Sequence, residues 1–244
     1  MEWPTTKRES PLGWLHEPAE EAGASLPAIV SIHDVWGCSE HSRAIAQALA
    51  ADGFGVLEID LYRALGPVEI EDPGAFIRSL SDPRVLADLD AGADWLAGQP
   101  RFRGRKIGVV GVCMGGSFAL LAACLSDRFA AAAPFYGILS YDHGMLFDPK
   151  GRDLEKKPHA PLEVATQLRM PLLASFGTED PIVPLEDVEA LERALAMSGQ
   201  RFRIDRYAGA GHAFLNQTRA EAYRPEAAAT AWERLLPFLH EVLD

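Results

Sequence analysis

The sequence predicts an α/β fold, a mostly parallel twisted sheet with helices on both faces, and three observations carry that reading. Apolar runs of strand length alternate along the chain with stretches whose apolar residues recur every three or four positions. The segment Gly111-Val112-Cys113-Met114-Gly115-Gly116 falls where one such strand passes into one such helix. A length of 244 residues, 48% hydrophobic and 24% charged, suits one globular domain with a large core.

Residues 1–26 are polar and rich in Pro, Glu and Gly, and read as an amino-terminal extension in which only residues 12–15 resemble a short edge strand. From residue 27 to 244 the pattern is that of one α/β domain. Strands are expected at 28–32, 55–59, 107–110, 130–135, 172–176 and 202–207, each bounded by turn signals. Helical faces lie between them: Ile45, Ala48 and Leu49; Val85, Leu89, Gly92 and Leu96; Phe118, Leu121, Ala122 and Leu125; Val188, Leu191 and Leu195. Asp82-Pro83 supplies a helix start, and Gly53 and Gly199 supply stops. The last helix carries Ala228, Trp232, Leu235, Leu239 and Val242 on one face, with Pro237 expected to kink or split it. Residues 137–163 break the alternation, and their content of Tyr141, Met145, Leu146 and Phe147 reads as a partly ordered flap.

A formal net charge of −12 without a basic stripe argues against nucleic-acid and anionic-membrane partners. The one basic run, residues 150–157, is interrupted by Asp153 and Glu155 and reads as a solvated loop. Cys38, Cys113 and Cys124 show no paired spacing, which suits a reducing compartment better than a disulfide framework. No apolar run reaches membrane-spanning length and residues 1–4 open no basic-then-apolar leader, so a cytoplasmic protein is expected.

Gly-x-Cys-x-Gly at a strand-to-helix turn forces its central side chain out of the sheet into a strained, accessible position, with the helix amides close to the sulfur. Cys113 is therefore the candidate nucleophile. A thiol nucleophile needs a base for its proton and an acid to hold that base in one tautomer, and His212 and Asp180 follow two later strands in the order nucleophile, acid, histidine. Catalytic groups of an open parallel sheet gather beyond its carboxyl strand ends, where His33-Asp34-Val35-Trp36-Gly37 also falls. The Val35 and Met114 amides are the expected oxyanion donors, and Asp34 is expected close to Cys113, either restraining the thiol or contacting substrate. His33, Cys38 and His41 match no closed zinc spacing, so no metal is expected. Gly108, Gly111 and Gly115 miss the dinucleotide fingerprint, so no cofactor is expected.

The chain resembles the dienelactone hydrolase family (carboxymethylenebutenolidases), a cysteine-nucleophile branch of the α/β-hydrolase fold. The resemblance runs from about Pro27 to the carboxyl terminus. It rests on Asp34-Val35-Trp36-Gly37, Asp60-Leu61-Tyr62, the Cys113 segment, Phe135-Tyr136-Gly137, Gly177-Thr178-Glu179-Asp180-Pro181 and Gly211-His212-Ala213-Phe214. It implies cofactor-free hydrolysis of a strained or activated ester, typically an enol lactone bearing a carboxylate, through a thioester on Cys113 with His212 and Asp180. Three departures stand out: Asp34 where the family usually has Glu, Asn216 where an arginine often binds the substrate carboxylate, and a longer segment between Gly137 and Pro171. Arg63, Arg78 and Arg84 are candidates for the missing cation, Arg84 among the expected substrate contacts with Asp34, Trp36, Tyr136 and Phe214. The expected partner is a small ester or lactone, and the expected state a monomer or small homo-oligomer. Two alternatives remain open: a ligand-binding protein on a hydrolase scaffold, and thiol redox chemistry, for which Cys124 is poorly placed.

Overall fold

The computed structural model describes residues 5–19 and 25–244. Two strands, β1 (Thr5–Ser10) and β2 (Gly13–Pro18), form an antiparallel hairpin at one edge of the sheet. The sequence pattern anticipates only one short strand here, because β1 is polar and largely exposed and so shows no apolar alternation. Residues 1–4 and 20–24 of the expected extension lie outside the described residues.

The remaining strands are β3 (Ala28–Ile32), β4 (Gly55–Ile59), β5 (Ile107–Val112), β6 (Ala131–Phe135), β7 (Leu172–Gly177) and β8 (Phe202–Tyr207). β3 to β7 are buried along their whole length, as parallel strands covered on both faces must be. The sheet order is β1-β2-β4-β3-β5-β6-β7-β8, antiparallel through β1, β2 and β4 and parallel from β4 to β8. The chain winds outward in one direction from β3 and in the other from β5. These two strands are neighbours, Ile32 facing Gly111, so the crevice at their carboxyl ends is the topological switch point.

Helices α1 (Glu40–Ala51), α2 (Pro73–Ser79), α3 (Asp82–Gly98), α4 (Met114–Leu125), α5 (Pro161–Val164), α6 (Leu185–Ala196) and α7 (Pro225–Leu243) complete the described elements. Side chains alternate across the sheet. Ile29, Val56, Val110 and Val112 meet Ile45 and Leu49 of α1 and Leu235 and Leu239 of α7. Val30, Leu57 and Val109 meet Leu89 of α3, Leu121 of α4 and Leu191 of α6 on the other face. Each fully buried leucine contributes roughly 1.5–3 kcal/mol of transfer free energy.

The helix starts are built as their residues dictate. Ser39, Asp72 and Ser81 each accept an amide hydrogen from the first turn of α1, α2 and α3, and Pro73 and Pro83 occupy first-turn positions where a missing N–H costs nothing. The sequence period does not reveal α2, which is seven residues long with too short an apolar face to show one. α7 is continuous through Pro237, against the expected split. Pro237 and Glu233, whose carbonyl loses its helical partner, are both exposed, while Leu235, Phe238 and Leu239 stay packed.

Residues 137–160 follow β6 and are tied down by side-chain contacts to α2 and α3. Lys157 and Asp82 form a buried ion pair at 2.5 Å, and the Tyr141 hydroxyl donates to the same carboxylate at 2.9 Å. At the outer end of this segment, Arg78 of α2 donates to the Met145 carbonyl at 3.0 Å.

Candidate active site

Cys113 sits between β5 and α4 with φ 55° and ψ −119°, a conformation that L-residues rarely hold. It is maintained because the turn is fixed on both sides. The Cys113 amide donates to the Phe135 carbonyl, the Ser117 amide closes the first turn of α4 onto the Cys113 carbonyl, and a Cβ at Gly111 or Gly115 would collide with backbone. The strand end leaves the sulfur partly accessible at the switch point, above the amino terminus of α4.

Two more strand ends meet it there. The His212 Nε2 lies 3.1 Å from the Cys113 sulfur, and its Nδ1 lies 2.8 Å from Oδ2 of Asp180. The other Asp180 oxygen accepts the Ile182 and Val183 amides, which fixes the carboxylate. Burial alone would lower the His212 pKa, but the Cys113 sulfur and the Asp180 carboxylate outweigh it and raise the value to about 10. An imidazole so placed holds a proton between sulfur and carboxylate at neutral pH.

Among the described residues, the non-glycine positions with positive φ are Cys113, Tyr136 and Ala213. All three border this site. The Tyr136 ring stands edge-on to His212 with centroids 5.1 Å apart and packs in turn on Phe214 at 5.3 Å. Both aromatics are buried behind the imidazole, so they support His212 and do not line the cavity, contrary to the expected substrate contact.

The loop after β3 supplies the opposite wall. No acceptor among the described residues takes the amide hydrogens of Val35 or Met114, which leaves both available to a ligand oxygen. The Tyr62 hydroxyl joins these two positions, donating to the Val35 carbonyl at 2.9 Å and lying 3.4 Å from the Met114 sulfur. The Tyr62–Met114 contact crosses 52 residues of sequence, a distance that no local pattern shows, so sequence reasoning misses this role. Asp34 is buried and accepts the Trp36 amide at 2.9 Å. Burial raises its pKa, opposed by that amide and by His33, Arg219 and His212.

The cavity at Cys113 holds about 100 Å3 and is lined by Asp34, Val35, Trp36, Ile77, Met145 and Ile182 together with His212, Asn216 and Arg219. Trp36 is half exposed and lines this cavity. The expected cations do not meet here. Arg84 is exposed on the first turn of α3, Arg63 pairs with Asp88 at 2.6 Å, and Arg78 of α2 lines a separate cavity. The cation that does reach the cavity is Arg219, which also contacts Glu221 at 2.8 Å. Sequence spacing missed it because residues 208–224 fold back over the site without regular structure.

His33, Cys38 and Asp60 place one donor atom each within 4.8 Å of one another, the type of cluster a metal could use. These groups are engaged otherwise. His33 Nδ1 donates to the Asp34 carbonyl and its Nε2 accepts the Leu61 amide, while Asp60 accepts the Tyr62 amide and burial pushes the Cys38 thiol up to about 12. His41 is outside the cluster, its pKa lowered by burial to about 4.

Comparison with known proteins bears on the family and the fold. The profile described as the dienelactone hydrolase family matches residues 13–243. A Bradyrhizobium protein provisionally named 2-oxo-3-(5-oxofuran-2-ylidene)propanoate lactonase is 30% identical, over 98% of this chain and 93% of its own. A protein of Escherichia coli K12, provisionally named carboxymethylenebutenolidase, is 29% identical over 93% of this chain and 81% of its own. The crystal structure of a provisionally named dienelactone hydrolase from Klebsiella pneumoniae superposes with a TM-score of 0.84 at 26% identity, covering 97% of this chain and 98% of that one.

Proposed function

This chain belongs to the dienelactone hydrolase family and has the α/β-hydrolase fold, and from that premise we propose that it hydrolyses activated esters or lactones through a thioester on Cys113. The observation that carries the reading is the Cys113–His212–Asp180 chain, with the sulfur 3.1 Å from Nε2 and Nδ1 2.8 Å from the carboxylate.

The Cys113 thiolate attacks the carbonyl carbon, and the oxyanion accepts hydrogen bonds from the Val35 and Met114 amides. Collapse breaks the C–O bond as the His212 imidazolium passes its proton to the departing oxygen. A water molecule then attacks the thioester with His212 as its base; the C–S bond breaks, the carboxylic acid leaves and the thiolate–imidazolium pair returns. Asp180 holds the His212 tautomer through both halves.

The substrate carries a carboxylate, on this reading, and Arg219 takes it in place of the arginine absent at position 216. The named substrate of the Bradyrhizobium relative joins a lactone ring to a propanoate, which suits such an anchor. No helix among the described residues is long and apolar enough to cross a membrane. Stopped-flow hydrolysis of p-nitrophenyl acetate tests the proposal. A burst of one p-nitrophenolate per chain, lost in Cys113→Ala, is expected; turnover persisting in Cys113→Ala, or binding without release, contradicts it.

A further inference from the structure

On the side of α2 away from Cys113 lies a second cavity of about 290 Å3, near the lower limit for small-ligand sites, which are roughly 300–1,000 Å3. It shares no lining residue with the cavity at Cys113. Although the chain carries a net charge of −12, four cations, Arg78, Arg152, Lys156 and Lys157, line this hollow.

Their partners can be counted. Lys157 is committed to the buried Asp82, and Arg152 gives one terminal nitrogen to Glu163. Lys156 reaches Asp153 only at 3.8 Å, across solvent. Arg78 donates to the Met145 carbonyl and has no carboxylate partner among the described residues. Asp148 and Asp153 share the wall, but each turns an oxygen to backbone amides, Asp148 to Lys150 and Asp153 to Glu155 and Lys156. What faces the space is a pair of guanidinium groups with N–H donors to spare and an apolar flank made by Tyr141 and Leu146.

Hydrolysis of any ester or lactone releases a carboxylic acid, ionised at neutral pH, so the reaction itself generates an anion of suitable size. We infer that the cavity behind α2 is a second site for a small carboxylate of the kind the enzyme produces, bound by Arg78 and Arg152. This rests on the family's ester or lactone hydrolysis and not on the thioester. The site is coupled to the first through a shared wall. Pro73 and Ile77 of α2 line the Cys113 cavity while Ala75, Arg78 and Ser79 line this one, and Arg78 holds the carbonyl of Met145, a residue that also lines the Cys113 cavity. A carboxylate that draws Arg78 off that carbonyl loosens Met145, so bound product slows turnover from outside the reaction site.

Calorimetric titration with succinate, at fixed ionic strength, tests this on protein whose Cys113 has been blocked with iodoacetamide. One equivalent is expected to bind, at least tenfold more weakly in Arg152→Gln and measurably more weakly in the surface variant Lys156→Gln. With unblocked protein, succinate should lower kcat without raising KM, an effect lost in Arg152→Gln, whose succinate-free kcat matches the parent. No binding to the blocked protein, undiminished binding in Arg152→Gln, or inhibition that is purely competitive overturns the inference. Hydrolysis surviving the Cys113 block would count against the thioester mechanism and leave this binding test unaffected.

Discussion

Burial pushes the Cys38 and Cys124 thiols up to about 12, so near neutral pH both are held as inert S–H groups. Cys113 instead faces His212, whose pKa burial lowers but the adjacent sulfur and Asp180 raise to about 10. Iodoacetamide near neutral pH is therefore expected to label one cysteine, with peptide mapping placing the adduct on Cys113; comparable labelling of Cys38 or Cys124 would contradict the assignment. Tyr62 acts one step further out, bridging the Val35 carbonyl and the Met114 sulfur. Losing a direct oxyanion donor costs about two to three orders of magnitude in turnover, and loosening two donors costs less. Tyr62→Phe should lower kcat about tenfold with KM unchanged. A matching rise in KM would show that Tyr62 holds substrate and not the oxyanion amides.

The elements differ in how openly the sequence declares them. Strands β3 to β7 are covered on both faces, so each is a continuous apolar run, and the expected bounds agree with the observed ones to within two residues. β1 escaped notice because Lys7, Arg8 and Glu9 on the sheet edge look like a solvated segment. The expected flap at 137–163 was legible as irregular chain, but its anchor was not. Lys157 reads as one charge in a basic loop, and only the fold brings it, 75 residues away in sequence, to Asp82 at the start of α3. Removing one partner of such a pair leaves a buried charge, so Lys157→Met should lower unfolding free energy by about 3–5 kcal/mol. The double variant with Asp82→Leu should recover much of that loss in denaturant titration. A single variant as stable as the parent would show that the pair does not anchor the segment.

At the scale of the whole molecule, the site forms because β3 and β5 are neighbours from which the chain winds in opposite directions, and β7 and β8 deliver Asp180 and His212 to the same edge. That convergence was legible in the sequence, since each residue closes a recognisable strand. The substrate-facing side was not. Arg63, Arg78 and Arg84 are close to the site in sequence and are engaged or exposed elsewhere, whereas Arg219 arrives through an irregular loop. Charged hydrogen bonds contribute about 1.5–3 kcal/mol, so Arg219→Gln should raise KM at least tenfold for lactones that carry a carboxylate and little for those that do not. Equal effects on both would remove Arg219 as the anchor. The thioester is the central claim, and intact-mass spectrometry of acid-quenched protein in the first turnovers of an activated ester tests it most directly. An acyl adduct that maps to Cys113, is released by hydroxylamine and is absent from Cys113→Ala is predicted; hydrolysis at full rate with no adduct on that sulfur would contradict it.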